Sequence, residues 1–261
     1  MNTPDHPLDT LAGIMKKLRS PEGCPWDKEQ SHETIKRYII EEVYEFVEAV
    51  EENNPAKMKD ELGDLLFQII FHCQLAEEEN HFSIYDVIKS SAEKMIRRHP
   101  HVFGDKKLDK AHEVIDQWEK IKADEHHHKE RVSILDGIPS HLPSLIRAYK
   151  AQKKVARVGF DWSRTDQIIE KIEEELRETK DAIAKGSHEH IKEEIGDLFF
   201  VVANLARFLN YDPEELSRKA VDKFIRRFRK IELELQNRGS SVHESTLEEM
   251  DEIWNLHKKS E

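Results

Sequence analysis

Five acidic residues in a short span, Glu41-Glu42-Val43-Tyr44-Glu45 and then Glu61-Leu62-Gly63-Asp64, recur as Glu174-Glu175-Leu176-Arg177-Glu178 and Glu194-Ile195-Gly196-Asp197. In both copies 19 positions separate the second glutamate of the pair from the glutamate of E-x-G-D. Carboxylates gathered in one place repel one another unless a cation sits among them. Hard oxygen donors of this kind suit Mg²⁺, with Mn²⁺ as an alternative, and not zinc. A single acidic stretch reads equally well as a solvated helix face held by i,i+4 pairs with lysine. Two copies in one register favour the metal.

For such carboxylates to converge, helices must carry them. At roughly 100° per residue, Glu41 lies nearly opposite the apolar stripe Ile39–Val43–Phe46–Val47–Val50 and faces water. Glu42 sits at the edge of that stripe, with Glu45 about 60° further round on the same side. The second copy repeats this, with Glu174 outward and Glu175 and Glu178 flanking the stripe. Glu61 and Asp64 share one flank of Leu62–Leu65–Ile69, and Glu194 and Asp197 share one flank of theirs. Antiparallel packing of each helix pair brings four carboxylates together per copy. The glycine between each E-x-G-D pair leaves room for a close helix crossing or for a ligand.

The rest of the chain has the punctuation of a helical repeat. Leu8, Leu11, Ile14, Met15 and Leu18 predict a first helix over 7–19, and helical spacing continues through 33–52, the E-x-G-D helix, 84–98 and 111–122. After a polar stretch the order returns: helices over 142–155, 166–185 and 188–209, one beginning at Asp212-Pro213, and a last over 247–258. No segment alternates with period two. The predicted fold is all-α, a tandem repeat of two helical-bundle modules, 1–123 and 141–261, joined by a linker over 124–140. The 261 residues include 41 basic and 53 acidic side chains, a formal charge of −12, which disfavours nucleic-acid polymers and anionic membranes as partners. Two cysteines, Cys24 and Cys73, point to a reducing, cytoplasmic setting. The most apolar stretch, Leu198 to Leu209, is too short for a bilayer and is interrupted by Asn204 and Arg207.

Behind each carboxylate set stands a Lys-x-x-x-Arg pair, Lys94 with Arg98 and Lys223 with Arg227, whose spacing puts both cations on one helix face. There they can grip a di- or triphosphate, or form an ordinary basic face. Lys171, one turn before Glu175, can serve similarly. Trp118 and Trp254 each sit in a late helix, where a tryptophan is either core or a platform for a base; Trp26 and Trp162 share the ambiguity. His99, His101 and the run 126–128 lack further ligands at zinc spacing. There is no glycine-rich phosphate loop, so metal and side chains would have to handle phosphate.

The pattern EE-x-x-E, fifteen residues, then E-x-x-D resembles the MazG nucleoside triphosphate pyrophosphohydrolases. GCPWDKEQ, ELGDLLFQ, RRHPHVF, VGFDW, EEIGDLFF and KFIRRF are similar to that family's two-module form across nearly the whole chain. The resemblance implies Mg²⁺-dependent hydrolysis of NTPs and dNTPs to NMP and pyrophosphate, and assembly as a homodimer or larger. It implies metal ligands Glu175, Glu178, Glu194 and Asp197, with Glu175 or Glu178 taking the proton from water. Lys223 and Arg227 would hold phosphates, and Trp254 with Lys258 would close on the nucleotide. Counterparts in the first module are Glu42, Glu45, Glu61, Asp64, Lys94, Arg98, Trp118 and Lys122, and the second module is expected to carry turnover. Narrower dUTP- or phosphoribosyl-ATP-specific hydrolysis, or a non-catalytic helical adaptor, are the competing readings.

Overall fold

The computed structural model describes residues 6–124 and 133–259. Among them are twelve helices and no strand. The chain divides into two compact units, Met1–Lys129 and Glu130–Glu261. Unit 1 contains α1 (Pro7–Leu18), α2 (Pro25–Glu29), α3 (His32–Glu51), α4 (Pro55–Glu78), α5 (Ile84–Arg98), α6 (Pro100–Phe103) and α7 (Ala111–Asp124). Unit 2 contains α8 (Ser144–Ala156), α9 (Thr165–Lys185), α10 (His188–Phe208), α11 (Pro213–Asn237) and α12 (Leu247–Lys259). Residues 125–132 of the expected linker, with the histidines at 126–128 among them, lie outside the described residues. The short helices α2 and α6 were not foreseen. Each begins at a proline, which fits the first turn of a helix and reads from sequence as a break.

Local chemistry sets the two acidic hairpins. Ser31 and Thr34 form a reciprocal capping box at the start of α3. Asn54 caps α4, whose first residue is Pro55, and Asp212 with Pro213 opens α11 in the same way. The turns within the hairpins need left-handed backbone, supplied by Asn53 (φ 50°) before α4 and by Gly186 (φ 68°) before α10. These tight turns lay α4 against α3 and α10 against α9. Gly23 answers a different demand: a Cβ there would lie 2.1 Å from the Leu18 carbonyl oxygen.

Unit 1 has a closed core of Met15, Ile35, Ile70, Phe71, Cys73, Leu75 and Ile84, with Leu8, Leu11, Tyr38 and Phe67 against it. Arg19 ties the end of α1 to α4 through Glu78, at 2.7 Å, and holds that carboxyl below its ordinary value. In unit 2 the apolar cluster of Ile231, Leu235 and Ile253 joins α11 to α12. The apolar stripes are less covered than their spacing suggests. Val43, Val50, Leu62 and Leu66 are exposed, as are Phe199 and Val202 in unit 2. Each hairpin buries the side facing its partner helix and α1 or α8, so an apolar arc wider than that contact stays open. Among the described residues no helix is long and apolar enough to cross a membrane.

Inside unit 1, His32 and His72 stack with ring centroids 5.1 Å apart and their Nδ1 atoms 2.8 Å apart. Burial, with His32 beside it, pushes the His72 imidazole below its ordinary value. An unfolded chain therefore takes up a proton, near pH 6.5, that the folded unit resists. Stability is expected to be complete above about pH 6.5 and to fall as pH drops below it. Urea unfolding of His72→Gln across this range should show a weaker acid loss than the parent.

Candidate functional site: two carboxylate clusters on paired helices

The antiparallel hairpins gather the acidic residues from both arms. In unit 1, carboxylate oxygens of Glu42, Glu45 and Glu61 lie within 4.8 Å of one another; in unit 2, those of Glu175, Glu194 and Asp197 do. The fourth member of each set stands just outside, Asp64 in unit 1 and Glu178 in unit 2. Its charge is still felt. Partial desolvation first, then Asp64, Glu45 and Glu61, pushes the Glu42 carboxyl up. Glu61 is raised in the same way, by desolvation and then by Glu45 and Asp64. In unit 2, desolvation and then Glu178, Glu175 and Asp197 raise Glu194. Such raised values report negative charge packed more closely than water can screen.

The two clusters differ in their cation. Lys171 Nζ sits 2.7 Å from Glu175 and 3.0 Å from Glu174, and these partners hold its ammonium well above the ordinary lysine range. Glu175 is only 5% exposed, so without metal Lys171 is its counter-ion. Glu174 is thus not a simply solvated residue as helix geometry predicts. It is half-exposed and tied back to Lys171. In the shared register Tyr38 takes the place of Lys171 in unit 1, and its hydroxyl accepts from Arg37 at 2.7 Å. Among the described residues of its own unit, a Cβ on Gly63 or Gly196 would meet nothing within 4 Å, so neither glycine serves a close helix crossing inside its unit. Both leave open space beside the carboxylates.

The basic and aromatic residues form clusters of their own. The Arg98 guanidinium lies 5.4 Å from the centre of the Trp118 ring and the Lys122 ammonium 5.2 Å from it. Arg227 lies 5.4 Å from the centre of the Trp254 ring, which also meets Phe224 at 5.5 Å. Lys94 is half-buried, whereas Lys223 and Lys258 are exposed. Helix spacing does not reveal the Arg98–Trp118 and Arg227–Trp254 pairs, because each joins different helices, whereas Lys122 lies one turn after Trp118 on α7. None of Lys223, Arg227, Trp254 and Lys258 lines the cavity beside Glu175 and Asp197. Helix α11 packs mainly on α12 and only lightly on α8 and α10, which carries these side chains off the acidic hairpin. Sequence reasoning also passed over Gln152 and Asn204, which do line that cavity. The signal was a polar residue within an apolar stripe.

A family model for the MazG nucleotide pyrophosphohydrolase domain matches the chain twice, over residues 30–103 and 164–231. The chain belongs to this family. Both MazG segments include one complete carboxylate set and one Lys-x-x-x-Arg pair. A nucleoside triphosphate pyrophosphohydrolase/pyrophosphatase MazG of Thermotoga maritima is 48% identical over 247 residues, spanning 95% of this chain and 94% of the relative. A nucleoside triphosphate pyrophosphohydrolase of Escherichia coli K12 is 43% identical over 259 residues, 97% of this chain and 98% of its own. The crystal structure of a mazG-related protein from Thermotoga maritima aligns with 44% of this chain and 97% of its own, at 28% identity and a TM-score of 0.38.

Proposed function

We propose that this MazG-family chain is a cytoplasmic nucleoside triphosphate pyrophosphohydrolase, converting NTPs and dNTPs to NMP and pyrophosphate with Mg²⁺, or Mn²⁺, at its carboxylates. The observation that carries the reading is the Glu175–Glu194–Asp197 cluster beside a cavity, in a chain closely similar to relatives named for that activity. The donor set fits the ion: three carboxylates within 4.8 Å, with desolvation and neighbouring charge pushing Glu194 up. Bound there, Mg²⁺ would lower the pKa of a water and offset charge on the transferred phosphoryl group.

The side chains divide the remaining work. Glu178 stands outside the three-carboxylate cluster, so it is the residue free to take the proton from the attacking water. Lys171 holds Glu175 in place and would shift toward phosphate once a divalent ion satisfies that carboxylate. Lys223 and Arg227 would steady the leaving pyrophosphate, with Trp254 and Lys258 over the nucleotide. Because these four stand off the carboxylate cavity, the reading places α11 and α12 of a second copy across it, in a homodimer or larger assembly. The open apolar residues Leu62, Leu66, Phe199 and Val202 support such an assembly.

Attack at the α-phosphorus has an isotopic signature. Hydrolysis of ATP in ¹⁸O-water is expected to place the label in AMP, read by mass spectrometry. Label in pyrophosphate would mean attack at the β-phosphorus and would reject this mechanism.

A further inference from the structure

Glu175 and Asp197 open onto a cavity of about 670 Å³, also lined by Phe160, Trp162, Gln152 and Asn204. That volume is typical of a small-molecule site. Both amides are fixed in orientation. Gln152 is 5% exposed; its Nε2 donates to the Phe200 carbonyl oxygen at 2.8 Å, and its buried Oε1 has no partner. Asn204 Oδ1 accepts from Arg207 Nε at 2.8 Å, and Arg207 is held by Asp161 through both carboxylate oxygens. This leaves Asn204 Nδ2 as a donor and Gln152 Oε1 as an acceptor.

Unit 1 has the same register and different contents. The offset that relates Glu61 to Glu194 relates Phe71 to Asn204, and Met15-Lys16-Lys17 of α1 matches Gln152-Lys153-Lys154 of α8. Met15 is 0% exposed and Phe71 2%, and the two belong to one core cluster. Where unit 2 has two amides beside a void, unit 1 has a thioether and a benzyl group in its packed interior.

We infer that the unit 2 cavity holds the nucleobase, that Gln152 and Asn204 select it, and that Met15 and Phe71 fill the matching space in unit 1. The inference rests on nucleoside triphosphates being the substrate. A base has two flat apolar faces and an edge that alternates N–H donors with acceptors. The exposed rings of Phe160 and Trp162 suit the faces. The oriented amides suit the edge, and a base that leaves either amide unpaired binds less well. Unit 1 keeps its carboxylates without this room, so base selection belongs to unit 2 alone.

The test is calorimetric titration of the full chain with the α,β-methylene analogues of ATP, GTP, CTP and UTP in Mg²⁺. The expected result is one nucleotide per chain and at least about a tenfold spread among the four bases. Gln152→Met and Asn204→Phe, each importing the unit 1 residue, should weaken the tightest ligand by about tenfold or more and flatten the ranking. Asn204→Asp keeps the size and the Arg207 partner but replaces the donor with an acceptor, and should reorder the ranking. An unchanged ranking in these variants, with helical circular dichroism intact, overturns the inference, as do two equal nucleotides per chain. Base-ranked binding without pyrophosphate release from ATP would sink the hydrolase reading and leave the pocket standing. Pyrophosphate release with a ranking indifferent to all three substitutions would do the reverse.

Discussion

Asp197→Ala is expected to abolish turnover while leaving the helical circular dichroism spectrum in place. Asp197 is an exposed residue of α10, so its side chain contributes little packing. Its oxygen closes the cluster with Glu175 and Glu194. Removing it takes one negative charge and one oxygen donor out of the cluster, so a hard cation that dehydrates reluctantly is held less tightly and is no longer fixed from the α10 side against the substrate. The loss has a second reading that needs no substrate. Mg²⁺ that binds only the folded chain raises its melting temperature by mass action. The parent should show that rise, and the variant should lose most of it. Glu178→Gln should behave differently: a fall in kcat of about 10²–10⁴-fold, the usual worth of a general base, with the Mg²⁺ response retained. Parent-like turnover in Asp197→Ala would remove the cluster from the chemistry.

The second large effect is on stability. Phe71→Ala is expected to destabilise unit 1 by about 3–5 kcal/mol, the usual cost of emptying a buried phenylalanine site. Phe71 is 2% exposed, packs edge-on to Phe67 at 6.4 Å, and lies beneath the Arg19 guanidinium. Urea unfolding gives the magnitude, and hydrogen exchange in α1, α3 and α4 localises it. At the matching position of unit 2, Asn204→Ala removes one hydrogen bond beside a void and should cost about 0.5–1.5 kcal/mol. Equal costs at the two positions would contradict the contrast between a filled and an open pocket.

Much of this was legible from spacing. The helix period placed Glu42, Glu45, Glu61 and Asp64, and their counterparts, on facing flanks, and the all-α fold followed from the same periodicity. The cap Asp212-Pro213 set the start of α11. What stayed hidden depends on contacts between helices. Periodicity marks an apolar arc without saying how much of it a neighbour covers, so the exposure of Leu62 and Phe199 could not be read from it. The Arg98–Trp118 and Arg227–Trp254 pairs join helices whose approach angle no local signal encodes. By contrast, the pairing of Lys171 with Glu174 and Glu175 lies within one helix, at i,i+3 and i,i+4, where spacing does point to it. Asn204 and Arg207 were visible as polar interruptions of an apolar run, but only the cavity beside Glu175 gives the interruption a purpose.

The most direct measurement of the central claim is the identity of the products. The purified chain, with ATP and Mg²⁺, should yield AMP and pyrophosphate in equal amounts, resolved by ion-exchange chromatography or ³¹P NMR. ADP with orthophosphate, or no product from any of the four NTPs, would contradict the account.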